Sequence, residues 1–260
     1  AVNDGLEADV VTMNTTTDVE FLASSGIVAK DWAKRFPHNA APTSSTMLFL
    51  TRNGNPKGIK DWDDLVKPGV QVIVVNPKTG GNGRMAYLAA WGSVRKKGGT
   101  DAQAAEFIAK LYKNVPVLAK GGRDATTIFL QRNIGDVLIT FESEVVSVDK
   151  EFGAGKVDAI HPSTSIVAEN PVAVVERTVA KKGTAEQAKA YLNFLYSDAG
   201  QEIAAQHAIR PSNPAILKKY ASTFKPIQLF TVDEFFGSFA EAQKVHFNDG
   251  GQFDKLYTVK

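Results

Sequence analysis

A glycine-rich segment that joins a strand-like run to a helix-like stretch has the residue types needed to hold an anion. It reads Asn76-Pro-Lys-Thr-Gly-Gly-Asn-Gly-Arg84, follows the β-branched run 70–75 and precedes the amphipathic stretch 85–91. Glycine lets a backbone approach a ligand closely. The first N–H groups of a helix lack intrahelical acceptors and lie at the positive end of the helix dipole. This order of elements predicts an anion site built from backbone donors.

The same segment does not match two common phosphate-binding motifs. A P-loop requires Gly-Lys-Ser/Thr after its glycines, and a dinucleotide fingerprint requires the spacing Gly-x-Gly-x-x-Gly. Neither pattern occurs in residues 76–91. Taken alone, the segment also fits an ordinary turn that caps a helix, and the residues leave that alternative open.

Strand-like and helix-like runs alternate along the chain, which predicts an α/β fold able to position such a turn. We predict strands at residues 9–12, 46–51, 70–75, 115–118, 137–141, 157–160 and 172–175. We predict helices at residues 101–112, 184–196, 198–207 and 232–247. Asp101 and Thr184 are the predicted N-caps of two of these helices.

Composition excludes several classes of protein. The 260 residues carry 30 Lys and Arg against 28 Asp and Glu, a formal charge of +2, which is too small to suggest a nucleic-acid surface. No apolar run approaches the ~18 residues that a membrane helix needs, so we expect no direct membrane insertion. The absence of cysteine excludes disulfides and thiolate ligands.

Residues with the spacing required for catalysis are absent from the sequence. The four histidines are dispersed at His38, His161, His207 and His246 and form no metal-ligand spacing. There is no Gly-x-Ser-x-Gly nucleophile motif. We therefore expect neither an enzyme nor a metal or cofactor site.

Blocks along the whole chain resemble the periplasmic sulfate- and thiosulfate-binding proteins of ABC transporters. One block is Pro77-Lys-Thr-Gly-Gly-Asn-Gly-Arg84 followed by Tyr87-Leu-Ala-Ala-Trp-Gly92. The other blocks occur in the family's order, at residues 6–12, 49–57, 59–69, 111–115, 133–139, 189–197 and 200–205. The chain is most similar to the thiosulfate-binding branch, because Phe141 stands where the sulfate-specific branch has Trp.

The resemblance implies a type II-like periplasmic binding protein with two lobes and the ligand in the cleft between them. It places residues 1–48 and 169–260 in lobe I and residues 49–168 in lobe II. The proline- and hydroxyl-rich segments 42–49 and 162–171 correspond to the crossovers between lobes. The expected function is capture of sulfate or thiosulfate in the periplasm for uptake through a membrane ABC permease.

The resemblance also assigns the anion-binding residues. In the first turn these are Thr79, Gly80, Gly81 and Asn82, where the family commonly has a Ser donor at Gly80. A replacement donor must therefore come from Thr79 or from water. Gly81 and Asn82 match positions whose backbone N–H groups bind the ligand.

Two further regions complete the predicted site. In the glycine-rich turn Lys120–Thr127, Gly122 matches a backbone donor, and Arg123 either strengthens the positive potential or forms a structural ion pair. Asp124 departs from the family's Gly and would oppose a dianion. Phe141 is either an apolar wall of the site or an ordinary buried aromatic residue.

The resemblance also carries one mismatch, at the start of the chain. The family has a β-α-β unit, of the ~30 residues that such a unit needs, before the position that Ala1 matches. The expectations are an incomplete lobe I, no signal peptide in this chain, weakened anion binding and self-association through exposed apolar residues. The alternatives left open are a binding protein for another oxyanion and a truncated fragment that binds nothing.

Overall fold

A computed structural model describes residues 2–153 and 155–257. The strands are β1 (Val10–Thr12), β2 (Thr43–Ser45), β3 (Met47–Arg52), β4 (Val72–Val75), β5 (Leu118–Ala119), β6 (Val137–Phe141), β7 (Val157–Ile160), β8 (Thr164–Ile166), β9 (Ala168–Asn170), β10 (Val172–Val174), β11 (Arg210–Pro211) and β12 (Gln228–Phe230). The helices are α1 (Thr16–Ser24), α2 (Pro37–Ala40), α3 (Gly81–Lys96), α4 (Asp101–Lys113), α5 (Gly122–Leu130), α6 (Glu142–Phe152), α7 (Glu176–Lys182), α8 (Ala185–Phe194), α9 (Asp198–Gln206), α10 (Pro214–Lys219), α11 (Val232–Phe236), α12 (Phe239–Ala242) and α13 (Gln252–Leu256). Two 3₁₀ turns (Trp32–Lys34 and Trp62–Val66) and a π-helical turn (Gln243–Phe247) complete the list. None of the helices in these residues is long and apolar enough to cross a membrane.

The chain divides into two compact units. Unit 1 contains Ala1–Ser45 and Ala168–Phe224, and unit 2 contains Thr46–Val167 and Lys225–Lys260. The chain changes unit once within each of the two segments, 42–49 and 162–171, that the sequence singled out as crossovers. It changes unit a third time after Phe224, which the sequence did not indicate. The prediction that two lobes, 1–48 with 169–260 and 49–168, enclose a ligand stays a prediction.

Unit 1 is built on two small antiparallel sheets. Strand β1 pairs with β10, and β2 lies between β11 and β9. Val19 and Leu22 of α1 and Trp32 of the following turn are buried together with Ile27 and Val28. Near the start of the chain Val11 is buried, whereas Leu6 is 59% exposed.

Unit 2 is organised by a five-stranded sheet in the order β5-β4-β6-β3-β7. Strand β4 is parallel to both β5 and β6, and β3 is antiparallel to both β6 and β7. All four residues of β4 are buried, as expected for a strand covered on both faces. Each of the three parallel strands is followed by a helix, so the amino ends of α3, α5 and α6 lie at one edge of the sheet.

The C-terminal segment Lys225–Lys260 belongs to unit 2, whereas the sequence placed it with residues 1–48. Aromatic packing on α3 and α4 accounts for this position. Phe230 packs so closely over Gly92 that a Cβ there would lie 2.1 Å from the Phe230 ring. The Tyr87 hydroxyl lies 3.1 Å from Nδ1 of His246. The rings of Tyr112 and Phe253 meet edge to face with centroids 5.2 Å apart.

Of the two predicted N-caps, one is wrong and the other is correct in position but makes no capping hydrogen bond. The prediction that Asp101 caps α4 is wrong, because the N-cap is Thr100, whose side chain exchanges hydrogen bonds with Gln103. Asp101 is the first helical residue, and its carboxylate accepts a hydrogen bond from the Trp91 indole at 3.2 Å. Thr184 does precede α8, but its hydroxyl donates to Asp9 at 2.5 Å instead of capping the helix.

The continuous helix predicted over residues 232–247 is also wrong. The structure has α11, α12 and the π-helical turn, with a break after α11. Gly237 has φ +75°, which no right-handed helix accommodates. Ser238 then starts α12 by accepting a hydrogen bond from the Glu241 N–H at 3.1 Å. The predicted strand 115–118 is observed at Leu118–Ala119.

Candidate anion site

The turn between β4 and α3 is held by its own hydrogen bonds. The N–H groups of Thr79 and Gly80 both donate to the Asn76 carbonyl at 3.1 Å, and the Asn76 side chain accepts from the Lys78 N–H at 2.9 Å. Helix α3 then begins at Gly81, with extended Gly80 as its N-cap. Within the described chain, no group accepts from the N–H of Gly81 or Asn82. These donors are the first candidates for contact with an anion.

Glycine at position 83 is required by the close approach of α3 to β4. A Cβ on Gly83 would lie 2.4 Å from the Val75 carbonyl oxygen and 2.8 Å from backbone atoms of Asn76 and Pro77. A methyl group at this distance from fixed backbone would push the start of the helix away. Gly83 therefore sets the position of the donors that precede it.

Helix α5 begins in the same way after β5. Its N-cap is Gly121 in an extended conformation, and Gly122 is its first residue. The part of the chain that the structure describes contains no acceptor for the N–H of Gly122 or Arg123. Asp124 is the third helical residue and not the N-cap, and its carboxylate accepts from the Lys120 N–H at 2.8 Å. The turn before the helix is closed by this contact.

The two helix starts are adjacent. Strands β4 and β5 pair in parallel up to Val75 and Ala119, and the Asn76 N–H continues the ladder by donating to the Ala119 carbonyl at 2.8 Å. A Cβ on Gly122 would lie 3.7 Å from Nδ2 of Asn82. The structure therefore brings Asn82 and Gly122, predicted from separate segments, to one place.

The end of β6 supplies the third part of this site. Nδ2 of Asn82 lies 3.5 Å from Oγ1 of Thr140, the residue before Phe141. Thr140 is buried, and the side chain of Phe141 is half-buried at the last position of β6. Sequence reasoning missed Thr140. The contact of Thr140 with Asn82 depends on the register of β6 in the sheet, in which Thr140 pairs with Leu48.

The Thr79 hydroxyl forms hydrogen bonds within the protein. Its hydroxyl oxygen lies 3.2 Å from the carbonyl oxygens of both Asn76 and Lys120. A hydroxyl has one proton to donate, so either contact uses it. This geometry fixes the turn before α3 to the turn before α5, but it leaves Thr79 no second proton for a ligand.

Two charged side chains near the site form ion pairs. Arg123 forms an ion pair with Glu151 of α6, and its side chain is 69% exposed. Lys78, which the sequence did not single out, contacts Asp254, Asp249 and the Phe247 carbonyl. The hydrogen bond to Asp254 is the largest cause that raises the pKa of Lys78. The helix starts and their N–H groups add positive potential at the site.

No group of three or more metal-ligating side chains occurs within residues 2–153 and 155–257. A separate cavity of about 490 Å³ in unit 2 is lined by residues that include Trp91, Phe236 and Glu241. None of the predicted site residues lines it. The helix starts at the sheet edge offer N–H donors, whose chemistry suits a small anion.

A mixed α/β fold that gathers helix amino ends at the carboxyl edge of parallel strands is an arrangement typical of ligand-binding proteins. The sequence model of the family of bacterial extracellular solute-binding proteins matches residues 1–210 of this chain. This chain belongs to that family.

Individual relatives are similar over nearly the whole chain. A thiosulfate-binding protein of Pseudomonas aeruginosa is 54% identical over 259 residues, which are 99% of this chain and 78% of that protein. A sulfate-binding protein of Escherichia coli K12 is 50% identical over 98% of this chain and 78% of its own length. The solved structure of the sulfate-binding protein SubI from Mycobacterium tuberculosis H37Rv matches with a TM-score of 0.85 at 32% identity, covering 95% of this chain and 84% of that one.

These matches confirm the resemblance and the type II-like binding-protein fold predicted from the sequence. The three relatives are named for binding and not for a reaction. The assignment of individual anion-binding residues stays a prediction.

Proposed function

We propose that this chain binds sulfate or thiosulfate at the amino ends of α3 and α5 and delivers it to a membrane ABC permease. The proposed site consists of Thr79, Gly80, Gly81, Asn82, Gly122, Arg123 and Phe141. The observation that carries the proposal is the meeting of two helix starts, where a Cβ on Gly122 would lie 3.7 Å from Nδ2 of Asn82. The names of the relatives support the choice of anion.

The chemistry of the site suits an anion without protons. Sulfate at neutral pH accepts hydrogen bonds and donates none, so free N–H groups satisfy its oxygens. A hydrogen bond to a charged group contributes about 1.5–3 kcal/mol, so a few such donors give useful affinity. Hydrogenphosphate has a proton that needs an acceptor, and a site composed mainly of donors disfavours it.

Each predicted residue has a distinct role in this proposal. Gly81, Asn82 and Gly122 donate backbone N–H groups, and Gly80 lets the chain pass close to the anion. Thr79 joins the two turns. Arg123 adds positive potential in spite of its ion pair, and Phe141 forms an apolar wall against the sulfur-tipped side of thiosulfate.

We infer binding and transport without catalysis, in an extracytoplasmic compartment. The family description, which concerns extracellular solute binding, supports the compartment. A match of 43% identity over 76 residues to a protein named as a sulfate/thiosulfate import ATP-binding protein from Cucumis sativus points to the same transport process. The permease itself is inferred from that process.

Self-association through unit 1 is a further part of the proposal. Leu6 and Phe21 are 59% and 57% exposed, and such an association would cover these large apolar side chains. Sedimentation velocity at rising protein concentration tests it. Self-association is contradicted if the protein sediments as a monomer at all concentrations and the Phe21→Ser variant has the same sedimentation coefficient.

Titration calorimetry on ligand-stripped protein tests the function. We expect heat with sulfate and thiosulfate and weaker binding of phosphate. No heat with either sulfur oxyanion at millimolar concentration contradicts the proposal.

A matched pair of variants at Gly122 tests the site. Gly122→Pro removes one N–H at the first helical position, where proline is well tolerated, and the preceding Gly121 is already extended. Gly122→Ala adds a similar Cβ and keeps the N–H. We expect the proline variant to bind about 10-fold or more weakly than the alanine variant, the value of one hydrogen bond to a charged group. Equal affinities would remove Gly122 from the site.

A further inference from the structure

The Asn82 carboxamide is buried with one of its two polar atoms unpaired. Asn82 is 8% exposed, and its Oδ1 has no hydrogen-bond partner among the described residues. Among the described residues, the one hydrogen-bond partner of Nδ2 is Oγ1 of Thr140 at 3.5 Å, the long limit for a hydrogen bond. Buried polar atoms are usually paired, so this acceptor and this weak donor contact need an explanation.

A half turn about the Cβ–Cγ bond of Asn82 resolves the pairing with Thr140. The turn exchanges the oxygen and the nitrogen, which are nearly the same size. The Thr140 hydroxyl, which donates to no acceptor in the described part of the chain, then donates to Oδ1. The NH₂ group with its two protons then takes the position in which Oδ1 has no hydrogen-bond partner among the described residues.

The site also needs a side-chain donor of this kind. Gly80 has no side chain, and the single hydroxyl proton of Thr79 is used by the carbonyl oxygen of Asn76 or Lys120. Among the residues at the two helix starts, Asn82 is the buried side chain with protons to donate. It sits on the second residue of α3, between that helix and α5.

We propose that the Asn82 side chain determines which oxyanion the site selects. This proposal rests on the proposed function. With sulfate or thiosulfate the NH₂ group donates to the anion while Oδ1 accepts from Thr140. With hydrogenphosphate the opposite orientation is needed, because Oδ1 must accept the phosphate proton, and the Thr140 hydroxyl then loses its acceptor. Thr140 thus biases the carboxamide toward anions that carry no proton.

Three variants test this assignment by calorimetry with sulfate, thiosulfate and phosphate. Asn82→Ala and Asn82→Asp keep the backbone N–H of residue 82, so their losses report the side chain. An acidic residue in the first turn is compatible with the helix dipole, so Asn82→Asp keeps α3 intact. Thr140→Val removes the hydroxyl and keeps the side chain's shape.

We expect Asn82→Ala to bind sulfate about 10-fold more weakly, the loss of one hydrogen bond to a charged group. Asn82→Asp loses still more sulfate affinity, because it brings a like charge, and loses less affinity for hydrogenphosphate, whose proton it accepts. Thr140→Val lowers the ratio of sulfate affinity to phosphate affinity. If Asn82 had a purely structural role, its replacement would lower the affinities for all three anions by the same factor.

The outcomes separate the two proposals. If the wild-type protein binds a sulfur oxyanion and the affinity ratios of all three variants match those of the wild type, this inference is wrong and the proposed function stands. If the wild-type protein binds neither anion, the proposed function itself fails. The side-chain NH₂ resonances of Asn82 provide a check that needs no variant, since they must shift when sulfate is added. Unshifted resonances at saturation would overturn the inference.

Discussion

The replacement of Gly83 by alanine tests whether close packing of α3 against β4 positions the donors. The added Cβ would lie 2.4 Å from the Val75 carbonyl oxygen, whereas ordinary Cβ contacts begin near 3.4 Å. The start of α3 must therefore move by about 1 Å, since backbone atoms cannot rotate away as a flexible side chain can.

Helix propensity alone predicts that Gly83→Ala stabilises the protein, because alanine is favoured over glycine in a helix by up to about 1 kcal/mol. Overpacking of a tight site costs about 1–3 kcal/mol. Because the three nearest atoms are all backbone, we expect the steric cost to dominate and the free energy of unfolding to fall by about 1–3 kcal/mol. Sulfate affinity should fall as well, because the N–H groups of Gly81 and Asn82 move with the helix.

Urea denaturation followed by tryptophan fluorescence measures the effect. Gly122→Ala is the matched control, because it is the same substitution in the first turn of α5, and its Cβ meets only Nδ2 of Asn82, at 3.7 Å. We expect the control to be as stable as the wild type or slightly more stable. A Gly83→Ala protein at least as stable as Gly122→Ala would refute the packing argument.

Three further predictions concern the site and its surroundings. Gly80→Ser should tighten sulfate binding by up to about 1 kcal/mol relative to Gly80→Ala, although Cβ lies 3.0 Å from a Val75 methyl group; equal calorimetric affinities contradict this. Asp124→Gly and Asp124→Asn should both tighten binding by removing a like charge, and more so at low salt; unchanged affinity at low salt contradicts this. Burial lowers the pKa of His246 from 6.5 to about 4, so unfolding takes up a proton between these values. Stability should fall by up to about 3 kcal/mol as the pH drops through that range, and replacing Tyr87 and His246 together by Phe should flatten the profile in urea denaturation.

The sequence was sufficient for the elements of unit 2 that carry local signals. The β-branched run 70–75 contains β4, and the glycine-rich turn after it does lead into α3. Gly121 and Gly122 likewise open α5. These features are local, because burial of a strand and the start of a helix depend on residues within one segment.

Contacts between distant segments were not predictable from the sequence. The pairing of Thr140 with Asn82 depends on the register of β6, and the position of the C-terminal segment depends on rings that meet only after folding. The prediction of Asp101 instead of Thr100 as the N-cap of α4 was a one-residue error between two acceptable capping residues. The use of the Thr79 hydroxyl by two carbonyl groups also requires β4 and β5 to be adjacent.

In the proposed site the free N–H groups at the starts of α3 and α5 hold the anion. Amide ¹H–¹⁵N NMR during a titration with thiosulfate or sulfate tests it residue by residue. We predict saturable shifts of the Gly81, Asn82 and Gly122 amide signals with one common dissociation constant, while amides at the far ends of the same helices, such as those of Lys96 and Leu130, shift least. A protein that binds the anion by calorimetry and leaves the Gly81, Asn82 and Gly122 signals in place would contradict the account.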